Sequence, residues 1–271
     1  MAPAPTPNHV RVLFYMQKHK SMTFEEFSEH WRVTHPPLFL GTKAVKQNLL
    51  KYEQWHVNQR WKQQLSDEGV TVPDYDGIVV IEAETVEKAL ATFSGLEYTE
   101  VVFPDSKKFC DLATIVYRAF EITTVFNNTR DHTSQTAQDG VIRGDIGMLV
   151  VDFHRKDSLN PSDFAKYWRE VHGAKILAFF EASGLGNDLL KYEQLTVDST
   201  SDSSNLPLAP APVSWDAVSI FEARTIKQIR DTFKDQRFVA FEKENTPNFV
   251  DTTKPFEVLP CDVVTFNIER S

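Results

Sequence analysis

At 271 residues the chain can form one large domain or two ordinary ones and can bury a substantial core. Its 41% hydrophobic and 25% charged residues are those of a globular protein in water, and a net charge of −9 repels phosphate backbones, which argues against a nucleic-acid partner. Two cysteines, Cys110 and Cys261, are too few for a disulfide framework or a cysteine-rich zinc site and read as small core residues.

The first residues, MAPAPTPNHV, lack the basic and apolar regions of a signal peptide, and no later stretch approaches a membrane-spanning length, so a cytoplasmic protein with no membrane partner is expected. A strand is expected over 11–17, where Val12, Phe14 and Met16 recur with a period of two. A helix follows, opened by Thr23 with Glu26 three residues on, which is a capping box. On it Phe27, Trp31 and His35 fall at i, i+4 and i+8 and share a face. The stretch LLKYEQ at 49–54 reads as a strand with Leu50, Tyr52 and Gln54 on one face and Lys51 and Glu53 on the other. A polar excursion over 58–72 leads to Asp76, a strand over 77–83, a helix starting near Thr85 and a last strand ending at Phe126.

From Gly147 the same order begins again. LLKYEQ recurs at 189–194, and a constant offset of 140 residues pairs Tyr52 with Tyr192, Asp76 with Asp216, Phe93 with Phe233, Phe109 with Phe249 and Phe126 with Phe266. Trp31 and His35 pair with Trp168 and His172 at an offset of 137, so the second copy carries three extra residues, placed by two glycines in a loop over 182–187. Its first helix opens at Asn160 with Pro161 in the first helical position and presents Phe164, Trp168 and His172. Each copy, 8–127 and 141–271, therefore reads β-α-β-β-α-β, the ferredoxin-like plan of an α+β fold. A lone copy would expose one face of its sheet, and two copies on one chain can cover each other as an intramolecular pseudo-dimer. The polar stretch 128–140 would join them, and the Ser/Pro-rich run 199–212 falls inside the second copy as a surface loop.

His35 and His172 are the candidate acid–base residues. The end of the helix favours the imidazolium and burial disfavours it, and a side chain between these influences can exchange protons near neutral pH. The alternative is a structural histidine bonded to a backbone carbonyl. Tyr52 and Tyr192 could donate to a substrate oxygen or be ordinary strand aromatics, while Asp76 and Asp216 read as turn formers. Trp31 and Trp168, with Phe27 and Phe164, would form aromatic walls. In the second copy Asp152 and His154 stand where the first has Tyr15 and Gln17, which makes Asp152 a further catalytic candidate and Tyr15 and His154 candidates for substrate contact. No third ligand joins the His/Asp pair, and glycine-rich phosphate loops, G-x-S-x-G and H-E-x-x-H are absent from the sequence, so neither metal nor cofactor is expected. Such differences suggest one active pocket and one remnant, without saying which.

The combination of W-R-x-x-H on a first helix, a K-Y strand, a D-G or D-A strand entry and a late F-x-D, at Phe109-Cys110-Asp111 and Phe249-Val250-Asp251, resembles the EthD-domain family of dimeric α/β-barrel proteins, here in tandem over nearly the whole chain. Pro36-Pro37 after the first histidine and the long Ser/Pro loop depart from the pattern. The resemblance implies a two-sheet barrel with helices outside. It also implies cofactor-free chemistry, since similar fungal proteins act as dehydratases or decarboxylases in aromatic polyketide pathways. The leading expectation is thus a lyase for an aromatic, polyketide-like small molecule, with His35 or His172 as general acid/base and Tyr52 or Tyr192 holding an enolate oxygen. A non-catalytic accessory protein that shelters a reactive intermediate, or a cofactor-free monooxygenase or cyclase, are the alternatives. Further association of the pseudo-dimer into a homo-oligomer stays open.

Overall fold

Alternating strands and capped helices assemble, in a computed structural model, into one closed eight-stranded barrel with its helices outside. Residues 9–128, 139–197 and 215–269 are described; most of the expected connection and the whole 199–212 run lie outside them. The first half supplies β1 (Val10–Lys18), β2 (Leu49–Val57), β3 (Gly77–Ala83) and β4 (Cys110–Asn127), and the second β5 (Gly147–Phe153), β6 (Leu189–Val197), β7 (Ala217–Ala223) and β8 (Glu257–Phe266). Around the barrel the order is β1-β3-β2-β8-β5-β7-β6-β4, antiparallel throughout. Each half is a ferredoxin-like sheet of order 4-1-3-2, and the two zip along β2–β8 and β4–β6. The halves therefore face each other across a filled interior and also consume each other's edge strands, which leaves the barrel no open edge.

The interior is apolar over most of its length, with Leu13, Trp55, Val80, Phe120, Val150, Leu195, Ile220 and Leu259 among the buried residues. The Lys and Glu of each LLKYEQ also face it. Arg11 bridges the halves, its Nε and Nη2 donating to Glu82 Oε1 at 2.9 and 2.6 Å and its Nη1 to Glu193 Oε2 at 2.8 Å. Lys51 pairs with Glu53 and Glu82, and Lys191 with Glu193 and Glu222.

Outside, α1 (Phe24–Glu29) starts on the Thr23/Glu26 capping box, widens into a π-helical turn over His30–Thr34 and continues as α2 (His35–Gly41). After the short α3 (Lys43–Asn48) and β2, the polar excursion holds an unforeseen helix, α4 (Gln59–Asp67), capped by Asn58; its Trp61 and Leu65 pack on the core of the other half. Next come α5 (Val86–Ala91) and α6 (Phe103–Phe109). In the second half α7 (Pro161–Lys166) passes through a π-helical turn, Tyr167–His172, into α8 (Gly173–Ser183). The three extra residues fall where Gly184 (φ 73°) gives α8 a left-handed stop and one 3-10 turn, Leu185–Asp188, leads to β6. The helices α9 (Ile226–Lys234) and α10 (Gln236–Asn245) complete the layer.

Candidate active site

Strand alternation positions the chemistry. In LLKYEQ the Lys and Glu side chains enter the barrel, while Tyr and Gln turn outward beneath the first helix pair. Gln54 Nε2 donates to the Trp31 carbonyl at 2.7 Å and to Tyr52 Oη at 2.9 Å; Gln194 repeats this toward Trp168 at 3.1 Å and Tyr192 at 3.3 Å. One glutamine thus ties the tyrosine to the π-helical turn that presents the histidine. Such turns insert an extra residue into a helix and often mark functional sites. Each half in this way holds Trp, His and Tyr around one cleft between helices and sheet.

The clefts differ in size, about 80 Å³ in the first half and about 490 Å³ in the second. The first has room for a few waters and the second for a small organic molecule. Residue size explains this: Phe14 and Phe39 fill the first cleft where the second has Val151 and Ile176. Strand β4 also begins at Cys110, so Leu112 and Ile115 close the first cleft, whereas β8 begins only at Glu257 and leaves Thr252 and Phe256 at the wall of the second.

Their electrostatics differ as well. In the first cleft Asp105 of α6 accepts from His35 Nδ1 at 3.1 Å and from His30 Nε2 at 3.0 Å, with Lys108 3.3 Å away. Burial would raise the Asp105 carboxyl, but these donors hold it at about 2; burial lowers the His35 imidazole against the pull of Asp105. In the second cleft Asn245 replaces Asp105 and accepts from Lys175 Nζ at 3.0 Å. The Nδ1 of His172 is buried without a partner among the described residues, and burial, aided by Lys175, pushes this imidazole down to about 4. It is therefore neutral at pH 7. Burial raises the Tyr192 phenol, whose hydroxyl is bonded to Ser219 as well as Gln194, so it stays protonated and able to donate. Phe221 stacks on its ring at 4.4 Å. Two cleft residues that the sequence did not single out are Ser219 and Glu242, whose first-half counterparts are Val79 and Val102. Thr246 donates to Glu242 Oε2, and burial raises that carboxyl. The only hint of them in the sequence was a polar residue facing an apolar one across the repeat.

Other candidates are placed elsewhere. Phe27 and Phe164 are buried behind Trp31 and Trp168 and support those rings from the core without lining a cleft. Tyr15 and Asp152 lie inside the barrel, on the opposite sheet face from the clefts, where Tyr15 Oη donates to Asp152 Oδ1 at 2.8 Å. Burial pushes the Asp152 carboxyl well up, and its Oδ2 has no partner among the described residues; it is a core group, with Tyr75 and Trp215 packed around Tyr15. His154, just beyond β5, lies 4.0 Å from Asp216, away from both clefts. Asp76 and Asp216 do not form local turns; their carboxylates accept the backbone N–H of Lys18 and Arg155 and fasten the ends of β1 and β5. Among the described residues no group of three or more His, Cys, Asp or Glu is arranged to hold a metal, and no helix is long and apolar enough to cross a membrane.

The family model of the EthD domain matches residues 19–113 and again 156–253, once over each cleft. The chain belongs to the EthD domain family. It carries the domain twice, and the EthD segments contain both W-R-x-x-H helices and both LLKYEQ strands. No curated protein matches the chain. Among solved structures it is similar to an "anthrone oxidase-like protein", at a TM-score of 0.55 and 9% identity over 97% of this chain and 96% of that one. It is also similar to "putative monooxygenases" from Fusobacterium nucleatum (TM-score 0.52, 9% identity, 97% and 94% covered) and Lactobacillus acidophilus (TM-score 0.50, 10% identity, 97% of each chain). At these identities the likeness shows the fold, shared over nearly the whole length of each chain.

Proposed function

We propose that the second-half cleft is the active pocket of a cofactor-free lyase, a dehydratase or decarboxylase, that acts on a flat aromatic small molecule bearing an enolisable carbonyl. The observation that carries this reading is His172, a neutral imidazole with an unpartnered buried nitrogen in an aromatic-walled cavity of about 490 Å³. A buried nitrogen without a partner costs stability, and an organic ligand or an ordered water offers it one. Trp168, Phe233 and Phe249 supply walls for a ring. His172 takes a proton from the carbon beside the carbonyl, or returns one after carbon dioxide has left. The protonated Tyr192 hydroxyl, fixed by Gln194, stabilises the enolate oxygen as charge develops. Loss of water or carbon dioxide from such a molecule needs proton transfer and enolate stabilisation and no electron acceptor.

Purified protein incubated with aromatic hydroxy-ketones and keto-acids should convert one class without partner or added cofactor, and His172→Gln should lower the rate by ~10²- to 10⁴-fold. Binding without turnover, read by tryptophan quenching, would instead support the accessory role, and oxygen consumption the monooxygenase.

A further inference from the structure

The second cleft holds an ionisable group that the base-and-phenol scheme leaves unused. Glu242, on α10, lines the same cavity as His172 and Tyr192 and lies near enough to Tyr192 to push its phenol further up. Thr246 donates to Oε2, which fixes the carboxyl and leaves Oε1 without that partner. The first half has Val102 in this place, beside a cleft too small for substrate, so the carboxyl accompanies the cavity and not the repeat.

We propose that Glu242 is the general acid of this cleft, donating a proton to a departing hydroxyl while His172 removes one from carbon, so that the reaction is loss of water from a β-hydroxy ketone fused to an aromatic ring. This rests on the reading of His172 as the base. The balance is simple. The C–H electron pair becomes the new C=C bond, the C–O bond breaks, the Glu242 proton and the leaving hydroxyl make water, and the proton held by His172 returns to Glu242 through solvent. Hydroxide is a poor leaving group and needs such an acid, whereas carbon dioxide departs without one. Two groups whose environments move them in opposite directions, a depressed imidazole and a raised carboxyl, divide base and acid roles between them at one pH. The other titratable groups on this cavity are Tyr192 of β6 and Lys243 of α10, and Lys175 of α8 approaches it from beside His172.

Two probes separate the acid from the base. In D₂O, α-tetralone exchanges the hydrogens beside its carbonyl and needs only a base; β-hydroxy-α-tetralone must also lose water, giving fluorescent α-naphthol. Glu242→Gln should keep exchange within about 3-fold of wild type, keep tryptophan quenching by α-naphthol, and lower elimination by ~10²-fold or more. It should also abolish the fall in elimination rate as pH rises through the raised range of the carboxyl. His172→Gln should lose both reactions. Elimination at the wild-type rate by Glu242→Gln overturns the proposal, as does a wild type that exchanges but does not eliminate. Absence of exchange in the wild type overturns the assignment of His172, and this inference with it. If Gln at this position unfolds the chain, Glu242→Asp carries the test: the alkaline limb must survive, and its loss counts against the proposal.

Discussion

Arg11→Met tests the joint between the two halves. Arg11 is 3% exposed and makes charge-assisted bonds to Glu82 of its own half and Glu193 of the other; the position repeated from it in the second half is Met148, so Met fits that strand register. With Arg11 present, three cations face the four carboxylates Glu53, Glu82, Glu193 and Glu222; without it, only Lys51 and Lys191 remain. Removing one member of a buried ion pair costs ~3–5 kcal/mol, because the remaining charge keeps its desolvation and loses its partner. Since each lysine still touches two carboxylates, the lower end, about 3 kcal/mol, is expected. For a chain of this length that lowers Tm by roughly 6–12 °C. Urea denaturation followed by tryptophan fluorescence measures it. A double-mutant cycle with Glu193→Gln should show coupling of about 1 kcal/mol or more, because neutralising Glu193 relieves the charge that Arg11 leaves behind. A loss below ~0.5 kcal/mol, or strict additivity with Glu193→Gln, would refute the reasoning, since surface substitutions lie within that range.

Three further outcomes follow from the geometry. His172 is pushed down to about 4 while an unfolded imidazole titrates near 6.5, so the unfolded chain binds the proton first; this residue's contribution is complete above pH 6.5 and declines toward pH 4 by up to about 3 kcal/mol. His172→Gln should flatten that part of the stability–pH curve, and in the wild type the acid limb of turnover should lie near pH 4 instead of 6.5. Val151→Phe, which installs the ring found at Phe14, should fill the second cleft and weaken α-naphthol binding at least ~10-fold while circular dichroism stays native, because a closed cavity loses the contacts that hold a ligand. Gly147→Ala should destabilise the chain by ~1–3 kcal/mol in thermal melts, because its Cβ would lie 2.1 Å from the backbone nitrogen of Ile226 and push the start of α9 off β5.

The repeat made most of this architecture legible. A fixed offset, two capped helix starts and a period-two strand pattern are local signals, and a two-sheet barrel is the arrangement that pairs the edges of two such copies. The alternation in LLKYEQ separates Tyr52 and Gln54 from Lys51 and Glu53, and the fold turns the first pair toward the helices and the second into the barrel. What stayed hidden depends on packing across distance. The helix α4 has few apolar residues and draws its stability from Trp61 and Leu65 against the other half, a contact with no local trace. The π-helical turns at His30–Thr34 and Tyr167–His172 do not disturb the Phe, Trp, His spacing in the sequence. Asp152 looked like chemistry because it is polar in an apolar strand. Strand parity put it inside the barrel, and only the fold shows Tyr15 reaching it from the other copy. Glu242 lies on a helix face with no motif around it, and it becomes visible as a candidate only when Val102 is known to sit beside a filled cleft.

That contrast bears on why the two halves share a chain. In a barrel made from two identical copies, every change that widens one cleft widens the other, and every unpartnered polar group is incurred twice. Fusion removes the constraint. The first half keeps Phe14, Phe39, Val79 and Val102, and its Asp105 satisfies both His30 and His35. The second opens with Val151 and Ile176, admits Ser219 and Glu242, and replaces the aspartate by Asn245, which Lys175 occupies; His172 Nδ1 and Gln194 Oε1 are left without partners among the described residues. In the first half the atom corresponding to Gln194 Oε1 is satisfied by His56, which Thr196 replaces in the second. Each such group costs on the order of 1–3 kcal/mol when buried alone, a large share of the 5–15 kcal/mol that separates folded from unfolded chains. A packed first half offsets that cost, and the second half can then hold a neutral imidazole and an aromatic cavity ready for a ligand.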